Sequence, residues 1–140
     1  MDVDRGQFLW ARDFSTHTGV TLDDKVLYSS DDNGYIWALD RLNGATLWKQ
    51  EKLEYRKLTR PTIIGDYLAV ADFEGYVHIL SRYDGHFVAR YQTGQFDNAG
   101  WDLATGIIVP PVVQGDNRLL IMTRGGILYS LELRERGADT

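Results

Sequence analysis

The side chains of this chain that could do chemistry are few and scattered. His17, His78 and His86 stand at spacings that match no metal-ligand pattern. His78 falls inside a short apolar run, where it reads as a packed, hydrogen-bonded histidine. Asp31-Asp32-Asn33-Gly34 looks like a cation loop, but a calcium loop needs acids at alternate positions and a distant bidentate glutamate. A solvated hairpin fits it better. Ser29, Ser30, Ser81 and Ser130 have no strand-to-helix elbow to expose a nucleophile. Carboxylate pairs say nothing about acid–base catalysis in a chain with 20 acidic residues. With no cysteine there is no disulfide, thiolate chemistry or cysteine metal site. No catalytic, cofactor or metal residue is therefore assigned. The remaining chemistry is that of contact. Residues 51–59 hold Glu54, Tyr55, Arg56 and Lys57, and residues 94–106 hold Phe96, Asp97, Trp101 and Asp102. Aromatics and arginine on loops are the usual anchors for a protein partner, so Tyr55, Arg56, Phe96 and Trp101 are the candidate partner-binding residues. The competing role for Phe96 and Trp101 is to fold back onto a neighbouring sheet. The net charge of −5 argues against a nucleic-acid surface, which wants a basic stripe.

The elements that must position these loops repeat three times. Val26-Leu27-Tyr28, then Gly34, then Tyr35-Ile36-Trp37-Ala38-Leu39 is one copy. Tyr67-Leu68-Ala69-Val70-Ala71, then Gly75, then Tyr76-Val77-His78-Ile79-Leu80 is the next. Leu119-Leu120-Ile121-Met122, then Gly126, then Ile127-Leu128-Tyr129-Ser130-Leu131 is the third. The matched glycines lie 41 and 51 residues apart. Short strands recurring at ~40–50 residues predict β-propeller blades.

Turn signals divide the second copy into strands over 61–64, 67–71, 76–81 and 87–92. The first copy divides into 19–22, 25–30, 35–40 and 46–50, the third into 107–113, 118–123 and 127–133. The runs Tyr35–Leu39 and Leu119–Met122 do not alternate, which predicts sheets covered on both faces. Gly34, Gly75 and Gly126 sit where the second strand of each copy turns into the third, a position that asks for positive φ. No helix follows them, so they are hairpin glycines and not a phosphate cradle. No apolar run approaches the ~20 residues of a membrane-spanning helix.

Residues 1–10 align position for position with 39–48, bringing Trp10 onto Trp48. The expected organisation is a partial propeller over 1–140: 1–12 as the outer strand of a preceding blade, blades over 15–50 and 59–92, and a last blade over 107–133 lacking its outer strand. Three blades cannot close, so the chain reads as the C-terminal part of a longer ring. An isolated piece with open edges is expected to self-associate.

Ala38-Leu39-Asp40-Arg41-Leu42-Asn43-Gly44-Ala45-Thr46-Leu47-Trp48 reads A-x-D-x-x-x-G-x-x-x-W. Asp40 can bond the turn backbone, Gly44 permits the reversal, and Trp48 lands on the outer strand, near Ala38 or on the adjacent blade. Burying ~150–250 Å² of indole is worth roughly 4–6 kcal/mol as an upper bound, so Trp10 and Trp48 are expected to rivet blades together. The second copy carries Ile79, Ser81 and Ala89 at the Ala, Asp and Trp positions and must pack differently. A WD40 repeat would end its third strands in Trp-Asp, but here those positions are Leu39-Asp40, Leu80-Ser81 and Leu131-Glu132. A kelch repeat wants a double glycine per blade, and only Gly125-Gly126 supplies one.

The docking motif resembles that of quinoprotein-type propellers. Within them, Asp72-Phe73-Glu74-Gly75-Tyr76-Val77-His78 with Asp84-Gly85-His86-Phe87-Val88-Ala89-Arg90 resembles the last blades of the BamB family. So do Arg60-Pro61-Thr62 ahead of Gly65-Asp66-Tyr67-Leu68, and the closing 123–131. The resemblance covers the chain outside 94–106. It implies an eight-bladed all-β propeller and a non-enzymatic, cofactor-free subunit of the β-barrel assembly (BAM) complex. It also implies a lipoprotein on the periplasmic face of the outer membrane that binds a POTRA domain of BamA and assists unfolded outer-membrane proteins. No BamA-contact residue is carried over. The alternatives sharing the docking motif are a PQQ-dependent dehydrogenase, with quinone and calcium over the propeller axis, and a PQQ-like sensor domain.

Overall fold

A computed structural model describes residues 3–93 and 106–135. Among the described residues, eleven strands form three separate antiparallel meanders. The first sheet is β1 (Val20–Leu22), β2 (Val26–Ser30), β3 (Ile36–Asp40) and β4 (Thr46–Gln50). The second is β5 (Thr62–Ile64), β6 (Tyr67–Ala71), β7 (Tyr76–Ser81) and β8 (Phe87–Gln92). The third is β9 (Val112–Gln114), β10 (Arg118–Met122) and β11 (Leu128–Glu132). Strands pair in chain order within each sheet, as propeller blades do. The first two blades also share an irregularity: the ladder between third and fourth strands shifts register at Ala38/Leu39 in one and at Ile79/Leu80 in the other. Such a bulge bends the outer strand and sharpens its twist.

The blades stack face to face. Tyr28, Ala38 and Leu68 meet between the first two, as do Ile36, Val70 and Leu80, with Trp48 against both groups. Ala69, Ala71, Val77 and Ile79 of the second blade meet Leu119 and Ile121 of the third. The second blade is thus covered on both sides, and β6 and β7 are buried along almost their whole length whichever way a side chain points. The small residues Ala69 and Ala71 let the sheets approach closely.

The sequence-based expectation of two covered faces fails for the third blade. Its strands alternate: Leu119 and Ile121 are fully buried, whereas Val112, Met122 and Leu128 on the other face are exposed. No sheet of the described residues stacks there. Its innermost strand is also shorter than the expected 107–113. Pro110 and Pro111 have no N–H to give a ladder, so pairing begins only at Val112. Pro61 trims β5 in the same way. Ile107 is buried against the second blade but reaches it as a loop, its N–H donating to the Asp72 carbonyl at 3.0 Å. Residues 3–12, within the expected outer strand of a preceding blade, make no ladder to the sheets described. A strand exists only beside a partner, and among the described residues none lies alongside this segment.

Candidate functional site

One face of the stack carries the turns between second and third strands together with the segments that join blades. Each turn is built around an acceptor three residues before its glycine. Asp31 Oδ1 accepts the N–H groups of Asn33 and Tyr35, and its Oδ2 accepts Trp37 Nε1 at 2.7 Å. Asp72 Oδ1 accepts the N–H groups of Glu74 and Tyr76, and its Oδ2 lies 2.8 Å from His78 Nε2. In the third blade Thr123 Oγ1 accepts the Ile127 N–H. Gly34, Gly75 and Gly126 follow with φ of 88°, 95° and 90°. At Gly34 a side chain would also collide, since a Cβ there would stand 2.5 Å from the Leu53 carbonyl oxygen.

The segment 51–59 is tied to this face. Tyr55 N–H donates to the Asn33 carbonyl and Phe73 N–H to the Lys57 carbonyl. Arg56 reaches Asp72 Oδ2 at 2.9 Å and Glu74 Oε2 at 3.2 Å. Asp72 is fully buried. Burial pushes its carboxyl pKa up, but the His78 bond, the Tyr76 N–H and the Arg56 guanidinium outweigh that and hold it below the usual carboxylate range. Arg56 therefore clasps the linker to the second blade as well as lining the surface. Tyr55 is 88 % exposed and sits at φ 70°, a left-handed conformation that a bulky residue adopts only when its surroundings impose it. Phe96 and Trp101 lie outside the described residues. Among the described residues no group of three or more acidic or histidine side chains gathers as a metal site.

The A-x-D-x-x-x-G-x-x-x-W segment forms sockets between blades. Asp40 Oδ1 accepts the Leu42 N–H, and the Asp40 carbonyl accepts the Gly44 N–H. Ala38 is buried directly across the ladder from Trp48. The indole of Trp48 then crosses to the next blade, donating Nε1–H to the Arg82 carbonyl at 3.0 Å and lying on the Gly85 turn. A Cβ at Gly85 would be 2.4 Å from the Trp48 ring. Trp10 repeats the arrangement one blade earlier, donating to the Arg41 carbonyl at 3.1 Å, and a Cβ at Gly44 would be 2.6 Å from its ring. Gly44 and Gly85 are seats for an indole as well as turn residues. Two signals in the sequence mark the indole seats and the aspartate-centred turns. Gly85 stands in the second copy where Gly44 stands in the first, and Asp31 and Asp72 share one spacing to the following glycine.

The family described as "Outer membrane protein assembly factor BamB" matches residues 1–50. A BamB of Alkalilimnicola ehrlichii is 39% identical over 130 residues, which cover 93% of this chain and 31% of that protein. The chain is similar to this BamB over nearly its whole length. The crystal structure of BamB from Moraxella catarrhalis superposes with a TM-score of 0.73 at 27% identity, covering 88% of this chain and 34% of that one. A quinohemoprotein alcohol dehydrogenase from Pseudomonas putida gives a TM-score of 0.72 at 15% identity, covering 90% of this chain and 21% of that one, which is a likeness of fold alone. The chain spans about a third of the length of the BamB proteins it matches. These relatives are named as assembly factors, not as enzymes.

Proposed function

We propose that this chain forms blades of a non-enzymatic scaffold in the machinery that folds and inserts outer-membrane β-barrels. The observation that carries this is the 39% identity to an outer membrane protein assembly factor along 93% of the chain. The construction of the linker face supports it: turns and linker are locked together, giving a rigid platform that displays exposed Tyr55. In the full-length protein the scaffold is lipid-anchored at the periplasmic face of the outer membrane. There it binds a POTRA domain of BamA and assists unfolded outer-membrane proteins. The dehydrogenase alternative is not favoured, because its solved representative shares only the fold. The 140-residue chain alone self-associates through the unpaired edge of β11 and the exposed apolar face beside it.

The test is co-elution of the full-length protein with the isolated periplasmic domains of BamA, alongside barrel-protein levels in a deletion strain. Stable co-elution and reduced barrel content are expected. Absence of both, together with a quinone absorbance or calcium-dependent alcohol oxidation, would transfer the protein to the enzyme reading.

A further inference from the structure

On the rim of the stack, between the 51–59 linker and the outermost strand β8, lies a recess of about 400 Å³. Leu53, Phe87 and Ala89 give it apolar walls, and Lys52, Arg56 and Arg90 line it with positive charge. Arg90 lies 4.9 Å and Arg56 5.5 Å from the centre of the Tyr76 ring, which gathers the two guanidiniums on one aromatic. The clasp to Asp72 and Glu74 holds Arg56 in place through one of its terminal nitrogens. Lys52 and Arg90 have no carboxylate partner among the described residues. Two cations without a counter-ion, in a chain that carries five more acids than bases, form a local reversal of the prevailing charge. The recess lies at the outer margin of the contact between the first two blades, where the 51–59 linker meets β8.

We propose that this recess binds an acidic segment of a partner protein, one that alternates carboxylates with apolar side chains. The carboxylates meet Lys52, Arg56 and Arg90, and the apolar side chains lie against Val88 and the exposed part of Phe87. A nucleic acid or anionic bilayer needs an extended basic surface, which a chain of net charge −5 does not favour, whereas a short peptide needs only the recess. The inference rests on the scaffold reading and adds the chemistry of one partner segment to it.

The test uses the full-length protein and a fluorescein-labelled eight-residue peptide alternating glutamate and leucine. Saturable binding that weakens at least tenfold between 50 and 300 mM salt is expected. Replacing glutamate by glutamine in the peptide, or introducing K52E or R90E in the protein, should each lower affinity at least tenfold with the melting temperature unchanged. Equal binding of the glutamine peptide, indifference to both variants, or a preference for phosphatidylglycerol vesicles over the peptide would overturn the proposal. Continued co-elution with BamA domains in that event would leave the scaffold reading standing.

Discussion

Trp48 and Gly85 act as one unit, and their energetics should show it. The indole is half-buried between two blades, with its N–H satisfied by Arg82. Truncation in Trp48→Ala should cost ~3–5 kcal/mol. A Cβ in Gly85→Ala would both displace that ring and sit at φ +78°, for a combined cost of ~2–5 kcal/mol. In the Trp48→Ala background only the backbone share, ~1–2 kcal/mol, should remain. A double-mutant cycle in urea measures the coupling, and additive costs would mean that the ring does not rest on Gly85. Asp72 supplies a second prediction at this scale. Its carboxyl pKa is depressed in the folded protein, so its contribution to stability is complete above the unfolded value of about 3.9 and is lost as pH falls through the lower folded value. Unfolding free energy measured from pH 5 downward should therefore drop more steeply in the wild type than in Asp72→Asn.

At the scale of elements, the blades were legible because glycines punctuate them. Asn33-Gly34, Glu74-Gly75 and Gly125-Gly126 mark the hairpins, and the apolar runs on either side became β2, β3, β6, β7, β10 and β11. The innermost strands were less legible: β1, β5 and β9 have three residues each, too few for a pattern, and prolines shift the start of two. Whether a strand is covered on one face or two was not legible, since Leu119-Leu120-Ile121-Met122 reads the same in either case. The linker clasp escaped because Arg56 and Asp72 are 16 residues apart, and nothing local links them. Unequal coverage has a measurable result. Native-state hydrogen exchange should be slowest in β6 and β7, buried on both sides, and faster by several orders of magnitude in β11, which is one-sided and at an edge. Uniform protection across the three sheets would contradict the stacking described.

For the whole molecule, three stacked sheets leave a half-open third blade whose exposed face includes Val112, Met122 and Leu128. Sedimentation velocity of the 140-residue chain should show concentration-dependent association, and a monomer at all concentrations would rule out the edge as a contact. The two indole contacts also point the same way along the chain: Trp10 reaches forward to Arg41, and Trp48 reaches forward to Arg82, 31 and 34 residues downstream. During synthesis, each ring therefore waits in water until the following turn has left the ribosome. At about 5–20 residues per second that wait is roughly 2–7 seconds. Tryptophan emission from a nascent chain would shift stepwise to the blue, once for each seat that emerges, and so count the blades as they are made.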